Sequence, residues 1–526
     1  MTATPAVRVL ATGPSRPLVL PCVIAAALGA FLFHPGVRRT PGMFWAFVVA
    51  VAGILVWTAW LHSAARHRSE GLVLDFVLRT PHWMQTLAQG ALLVWWGSFV
   101  SLVPAWAPLI IAQLLLAVAV ESLFSLTRRG RYSLGLGPVP VVFSVNLFLW
   151  FTEPWFFLQF AMIVLVYAGK EFIRWQLDGH SRHIFNPSAL ALSVAAVILI
   201  ATGRTDITLG IEIAQSQFIP PHMFLVIFLA AVPAQLLFGV AMMTMPAVLT
   251  ILGFSLLYHA STGIYFFYDA FIPISVFLGL HLLFTDPATS PRSDGGRIIF
   301  GLLYGSGVIL SVLLLDAIGA PNFYDKLLPV PILNLLAPRL DRAANALAAR
   351  VPTAVGALQR PGSARRRVAT VGVWGACFAT MSFTGGVGDN HPGQYYPFWR
   401  DACEVGSERA CNYTGIMQQN FCDRGSGWAC NEFGILLAEL DRDFRGAVGE
   451  FERACRLGFA AGCRNLEGLA TGDERLVRGG AYQRGPPPLG ELPIVLRGSK
   501  GVVAERDPDA LRALGCERGW RELGCS

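Results

Sequence analysis

Phe284-Thr285-Asp286-Pro287-Ala288-Thr289-Ser290-Pro291 lies between two apolar runs, Phe266 to Phe284 and Ile298 to Leu315. A carboxylate, two prolines and three hydroxyls at the end of a membrane-length run are costly in hydrocarbon, so they point to a task. One hundred residues before Asp286, the phrase Ile184-Phe185-Asn186-Pro187-Ser188-Ala189 has a similar make-up. Asn and Asp accept hydrogen bonds from the orphan N–H groups of a helix start, and Pro suits the first helical position. Each phrase therefore reads at least as a helix cap. Their recurrence adds a second reading, an internal duplication that sets two broken-helix ends near one another. Facing half-helix ends are a common way to build a ligand or cofactor site inside a membrane bundle.

The composition around these phrases is that of a membrane protein. Of 526 residues, 54% are hydrophobic and only 14% charged, where a soluble domain has about one quarter charged. The long apolar runs fall within 18–338, whereas 389–526 is polar, rich in Arg and Glu, and holds eight of the ten cysteines. The net charge of +7 comes mostly from Arg in short loops, where it reports topology before it reports an acidic partner. Arg8 and Arg16 precede the apolar stretch Pro17–Phe33, but no small-residue cleavage site follows, so this reads as an uncleaved first helix.

Spans of about 20 apolar residues are expected at 18–34, 43–62, 84–103, 105–125, 138–151, 154–169, 187–202, 221–239, 241–259, 265–284, 298–316 and 322–338, with a separate final run at 368–386. Basic loops carrying Arg66, Arg68 and Arg79, then Arg128, Arg129 and Arg131, then Lys170, Arg174 and Arg182, then Arg292 and Arg297, alternate with loops almost free of base. Placing the basic set in the cytoplasm puts the N-terminus there, both polar phrases near that face, and 389–526 on the outer side. Arg38 and Arg39 are the exception to this scheme.

The eight C-terminal cysteines fall into spaced pairs: Cys403/Cys411, Cys422/Cys430, Cys455/Cys463 and Cys516/Cys525. The copy Ala454-Cys455 to Gly462-Cys463 looks like the end of one helix, a turn and the start of the next. A disulfide there would staple a helical hairpin too small to build a strong core alone, and an even count suits an oxidising compartment. A zinc site is the rival reading, but its usual gap is two to four residues and often includes His; reduced, buried cysteines are the third. Phe433-Gly434 through Glu439, followed by Ala447 through Cys455, resembles the Sel-one-like repeat, a cysteine-rich relative of the tetratricopeptide repeat, over 401–467. A fixed period with small residues at helix crossings is what a helical solenoid needs. Such a module docks or stabilises, and it implies a protein partner.

Tyr167-Ala168-Gly169-Lys170 followed by Phe185-Asn186-Pro187-Ser188-Ala189, and then Thr285-Asp286-Pro287-Ala288-Thr289-Ser290-Pro291 with Gly296-Arg297 and Phe300-Gly301, resemble two phrases of one family. They look like the D subunit of Rnf-type ion-translocating electron transport complexes and the related B subunit of the sodium-pumping NADH:quinone reductase. The similarity runs from about Thr80 to Asp341. It implies a redox-driven electron transport subunit that couples electron transfer to cation movement, works with other membrane subunits and a quinone, and is not itself a catalyst. Family members carry FMN esterified to a Thr in an S-G-A-T motif. The equivalent region, about Thr202 to Pro221, lacks that motif, as does the rest of the chain. The resemblance therefore implies a non-covalent flavin, riboflavin or FMN, in place of covalent FMN. It places Asn186, Thr285, Asp286, Thr289 and Ser290 at the cofactor site, with Lys170 available to a phosphate or carboxylate.

Asp269 is the one carboxylate within 264–284 and reads either as a cation-path residue or as an outer-interface residue. His34, His62, His82, His259 and His281 invite a bis-His haem, but most fall near expected helix ends, where His is ordinary. Walker, G-x-S-x-G and H-E-x-x-H motifs are absent from the sequence, which gives hydrolase and nucleotide-enzyme readings no support; nothing suggests nucleic acid or a metal. The expected architecture is all-α: a polytopic bundle of about 12–13 spans with a small disulfide-stapled α/α-repeat domain. Its parts are an N-terminal extension (1–79), an Rnf-like membrane domain (80–341), a basic linker with a final span (342–388) and the repeat domain (389–526). The alternative function is a cofactor-free transporter or scaffold of the same fold that recruits partners through the repeats.

Overall fold

The computed structural model describes residues 7–67, 71–177, 179–350, 364–473, 475–476, 480–498 and 503–525. Arg68, and the part of the expected linker at 351–363, lie outside the described residues. The chain divides into two compact units, Met1–Gly253 with Ile274–Thr384, and Phe254–Pro273 with Gly385–Ser526.

The first unit is helical. Among the described residues, six helical stretches are long and apolar enough to cross a membrane: Arg16–Phe33, Pro41–Arg66, Leu102–Arg129, Glu153–Phe172, Ala241–Thr262 and Asp294–Ala317. They make this a membrane protein, with Val49, Val56 and Leu314 left exposed as the lipid-facing side of such helices requires. In chain order the helices are α1 (Val19–Ala30), α2 (Pro35–Arg39), α3 (Pro41–Arg66), α4 (Thr80–Phe99), α5 (Leu102–Arg129), α6 (Pro138–Asn146), α7 (Phe156–Phe172), α8 (Pro187–Thr202), α9 (Gly210–Ser216), α10 (Met223–Phe238), α11 (Ala241–Thr262), α12 (Ile274–Leu282), α13 (Asp294–Ala317), α14 (Pro329–Arg350) and α15 (Ala364–Phe383). Phe47 of α3 stacks on Phe31 and on Phe156, and meets Phe160 edge-on, which ties α1, α3 and α7 together. At Gly301 of α13 an added Cβ would stand 2.2 Å from the carbonyl oxygen of Met243 on α11, so only glycine allows that approach.

Three expected spans are cut short; in one of them, 322–338, the α-helix begins only at Pro329. The stretch 138–151 forms the nine-residue α6 and then a buried coil, Leu147 to Phe151. Non-helical backbone at that depth needs internal partners, and carboxamides supply them. Gln159 accepts from the Phe151 amide at 3.2 Å, Gln217 donates to the Leu147 carbonyl at 2.6 Å, and Gln113 and Asn146 bond one another. The expected span 265–284 is likewise not continuous: only Ile274–Leu282 is helical, and Ile264 to Pro273 is coil.

The all-α expectation also misses two small sheets. β1 (Val7–Gly13) pairs antiparallel with β2 (Leu72–Val77), which pairs parallel with β3 (Arg131–Leu134). Between β2 and β3 run α4 and α5, so the sheet carries the ends of both helices. β4 (Arg174–Leu177) and β5 (His180–His183) form a hairpin directly before α8.

In the second unit α16 (Tyr396–Glu404), α17 (Glu408–Asp423), α18 (Gly427–Leu436), α19 (Phe444–Arg456) and α20 (Ala460–Ala470) pack each on the next. Disulfides Cys403–Cys411, Cys422–Cys430 and Cys455–Cys463 each join the end of one helix to the start of the next, with Cα atoms 4.6, 4.7 and 4.6 Å apart. A fourth joins Cys516 to Cys525. Three residues after the first cysteine of each pair stands Gly406, Gly425, Gly458 or Gly519, all at positive φ, where L side chains are strained. The coil from Ile264 belongs to this unit. Tyr268 stacks on Tyr413 at 3.9 Å, Tyr265 on Phe398 at 4.6 Å, and the Arg409 guanidinium lies over both Phe266 and Tyr268.

Candidate functional site

Asn186 is the N-cap of α8. Its Oδ1 accepts from the Ala189 amide at 3.4 Å and from the Ser188 hydroxyl at 3.0 Å. Its Nδ2 donates to the Leu283 carbonyl at 2.6 Å, and its backbone N–H donates to Oδ1 of Asn334 at 3.0 Å. Asn334, on α14 and 1% exposed, also donates to the Thr289 carbonyl at 3.3 Å. Two hydrogen bonds thus join the two polar phrases through Asn334, a residue the sequence reading did not single out, and the Asn186–Leu283 bond adds a direct tie just before the second phrase. An Asn inside the apolar run Val330–Ala337 was the signal that could have found it.

Asp286 is not a helix cap. The cap of α13 is Ser293, whose Oγ accepts from the Gly296 amide. Asp286 heads a tight turn, with Oδ1 accepting from the Ala288 amide at 3.1 Å and Oδ2 from the Thr289 hydroxyl at 3.0 Å. His183 Nε2 stands 3.7 Å from the same Oδ2. Burial alone would raise the Asp286 carboxyl, but His183, the Ala288 N–H and the Thr289 hydroxyl more than offset it and hold it below its ordinary value.

Beside these residues opens a cavity of about 740 Å³, within the size range of small-molecule sites. Asn186, Asp286 and Lys170 line it; Thr285, Thr289, Ser290 and Asp269 do not. The Thr285 hydroxyl donates to the His281 carbonyl at 2.7 Å, and Thr289 is committed to Asp286. Ser290 is buried with its hydroxyl unpartnered. Asp269 lies in the coil of the second unit, its carbonyl accepting from Gln394 at 3.2 Å. The cysteine pairs are structural. The one metal-like cluster among the described residues, Cys422, Cys430 and Glu450, has both sulfurs bonded to each other.

The cavity is rich in cations. Arg79, Arg129, Arg131, Lys170 and Arg174 line it against two carboxylates, Glu121 and Asp286. Lys170 Nζ meets Glu121 Oε1 at 2.5 Å, Arg131 Nε meets Asp75 at 2.5 Å, and Arg129 Nη2 meets Glu171 at 3.1 Å. Lys170 is therefore already paired, with Tyr132 also donating to Glu121 at 3.3 Å. Burial first, then the charges of Lys170 and Arg79, hold the His82 imidazole down to about 4. Gln89, 2% exposed, also lines the wall; its Nε2 donates to Ser144 at 2.9 Å while its Oε1 has no partner. Gln89, Asn186, Tyr132, Lys170 and the arginines are the polar groups at the wall that could hold a flavin.

No protein-family model, no curated protein and no solved structure matches this chain.

Proposed function

We propose that this protein is the integral membrane subunit of a redox-driven electron transport complex, similar to the D subunit of Rnf-type complexes and the B subunit of the sodium-pumping NADH:quinone reductase. The observation that carries the reading is the joining of residues 185–189 to 284–291 through Asn334 at the wall of a cationic cavity. The cavity holds a non-covalent flavin. The flavin would supply the electron relay, and the chain would orient it, with His183 and Asp286 lining the cavity beside it. Its partners are other membrane electron transport subunits and a quinone, with cation movement coupled to the relay through about 12–13 spans. The N-terminus faces the cytoplasm and the disulfide-bonded repeats face the outer side.

An absorption spectrum of the purified protein, followed by acid precipitation, tests this. Flavin absorbance is expected, with the flavin released into the supernatant. Flavin that stays with the precipitate contradicts the non-covalent assignment. A spectrum without flavin selects the second reading, a cofactor-free transporter or scaffold in which the same open cavity receives a solute.

A further inference from the structure

We infer that a groove on the stacked helices of the second unit is a receptor for an extended, arginine-bearing segment of a partner protein, and that the chain's own residues 481–486 fill one part of it. The inference is independent of the flavin reading, since every residue it uses lies in the second unit.

Residues 481–486, Ala-Tyr-Gln-Arg-Gly-Pro, run without helix or strand, and the helices hold them as they would hold a ligand. Asn431 on α18 and Asn465 on α20 are wholly buried. Both donate to the Gln483 carbonyl, at 3.1 and 2.8 Å, and Asn465 Oδ1 accepts from the Gln483 N–H at 2.7 Å. Asn465 Nδ2 also donates to Asn431 Oδ1 at 2.8 Å, which fixes the pair. Trp428 Nε1 donates to the Gly485 carbonyl at 3.0 Å. These bonds read the backbone, which any extended segment offers. Tyr482 anchors the stretch against Phe451, but Gln483, Arg484 and Pro486 stay exposed. The ties after Tyr482 are therefore polar, and another chain can supply them.

One side chain is read as well. Arg484 donates to Glu432 Oε2 at 2.5 Å and to Glu439 Oε2 at 3.1 Å. Glu432 is 5% exposed, and burial raises its carboxyl in spite of Arg484, so a cation at this place favours its ionised form. Beside Arg484 and Pro486 the groove continues as an open cavity of about 690 Å³. Its wall carries Glu404, Glu432, Glu439 and Glu522 against Arg400 and Arg484, four carboxylates to two guanidiniums. Tyr396 and Trp428 add aromatic faces, which also suit a guanidinium. The open part thus repeats the preference that the filled part shows: backbone, and positive charge.

The test uses the full chain in detergent and two labelled peptides, a copy of residues 481–488 and the same peptide with its arginine replaced by glutamate. Arg484→Ala, which frees Glu432 and Glu439, is expected to bind the arginine peptide at least about tenfold tighter than the glutamate one. Adding Glu432→Gln should remove most of that preference. In the unaltered protein, a large excess of the arginine peptide should speed deuterium exchange at the Gln483 amide as the internal segment is displaced, and the glutamate peptide should not. That reading decides even if the variants do not fold. Equal binding of the two peptides overturns arginine recognition. Binding of neither, or a Gln483 amide that stays protected under excess arginine peptide, overturns the receptor and makes residues 481–486 a fixed part of the unit.

Discussion

Asn334 satisfies two backbone groups from distant parts of the chain with one carboxamide, the Asn186 N–H and the Thr289 C=O. Asn334→Leu leaves both buried without partners, each at about 1–3 kcal/mol, and should lower the thermal midpoint in detergent. Asn334→Asp keeps only the acceptor and should fall between the two; equal midpoints for all three proteins would refute the bridge. Asp286 gives a pH signature. Its folded carboxyl is held below its ordinary value, so the ionised form contributes stability at neutral pH, lost as pH falls below about 4 through the lowered value. Acid unfolding of Asp286→Asn should show a flatter limb in that range, and an unchanged limb argues against the His183 and Thr289 contacts. Asn186 and Asp286 were conspicuous in the sequence because a polar group in an apolar run has few uses, and with Lys170 they line the cavity. Thr289 and Thr285 do not line it, for a local reason: a hydroxyl can turn back on its own segment, to a side chain three residues before or a carbonyl four residues before, and sequence does not tell which it does.

Among the elements, α13 depends on glycine where it crosses α11. Gly301→Ala forces a Cβ into the Met243 carbonyl, and overpacking of this kind costs about 1–3 kcal/mol. Gly53→Ala, with open space around it, is the neutral control in the same melting assay. The cysteine reading is tested by thiol counting in denaturant. Two groups, Cys22 and Cys377, should react before reduction and ten after it; more than two before reduction breaks the pairing. Spacing made those pairs legible, and the Cys-x-x-Gly that opens each turn was a further signal left unread. The span expected at 265–284 failed for a physical reason. Hydropathy registers the aromatic content of Ile264–Phe271, but those rings are covered by Trp399, Phe398 and Tyr413 in a folded unit, which a window along one segment cannot see. The half-helix α6 was missed likewise, because its coil is sustained by Gln113, Gln159 and Gln217 from other helices.

For the whole molecule, composition alone indicated the membrane class and the polar C-terminal part, since both are properties of long averages. The three-stranded sheet was invisible because β1, β2 and β3 are short and their pairing is non-local. The second unit is assembled from two stretches, Phe254–Pro273 and Gly385–Ser526, and this sets an order of events during synthesis. Tyr265 and Tyr268 leave the ribosome well over a hundred residues before Phe398 and Tyr413. At about 5–20 residues per second the aromatic coil waits on the order of ten seconds for its cover. A chain arrested before Tyr413 carries that coil bare, so the segment acts as a mark by which an incomplete protein is distinguishable from a finished one.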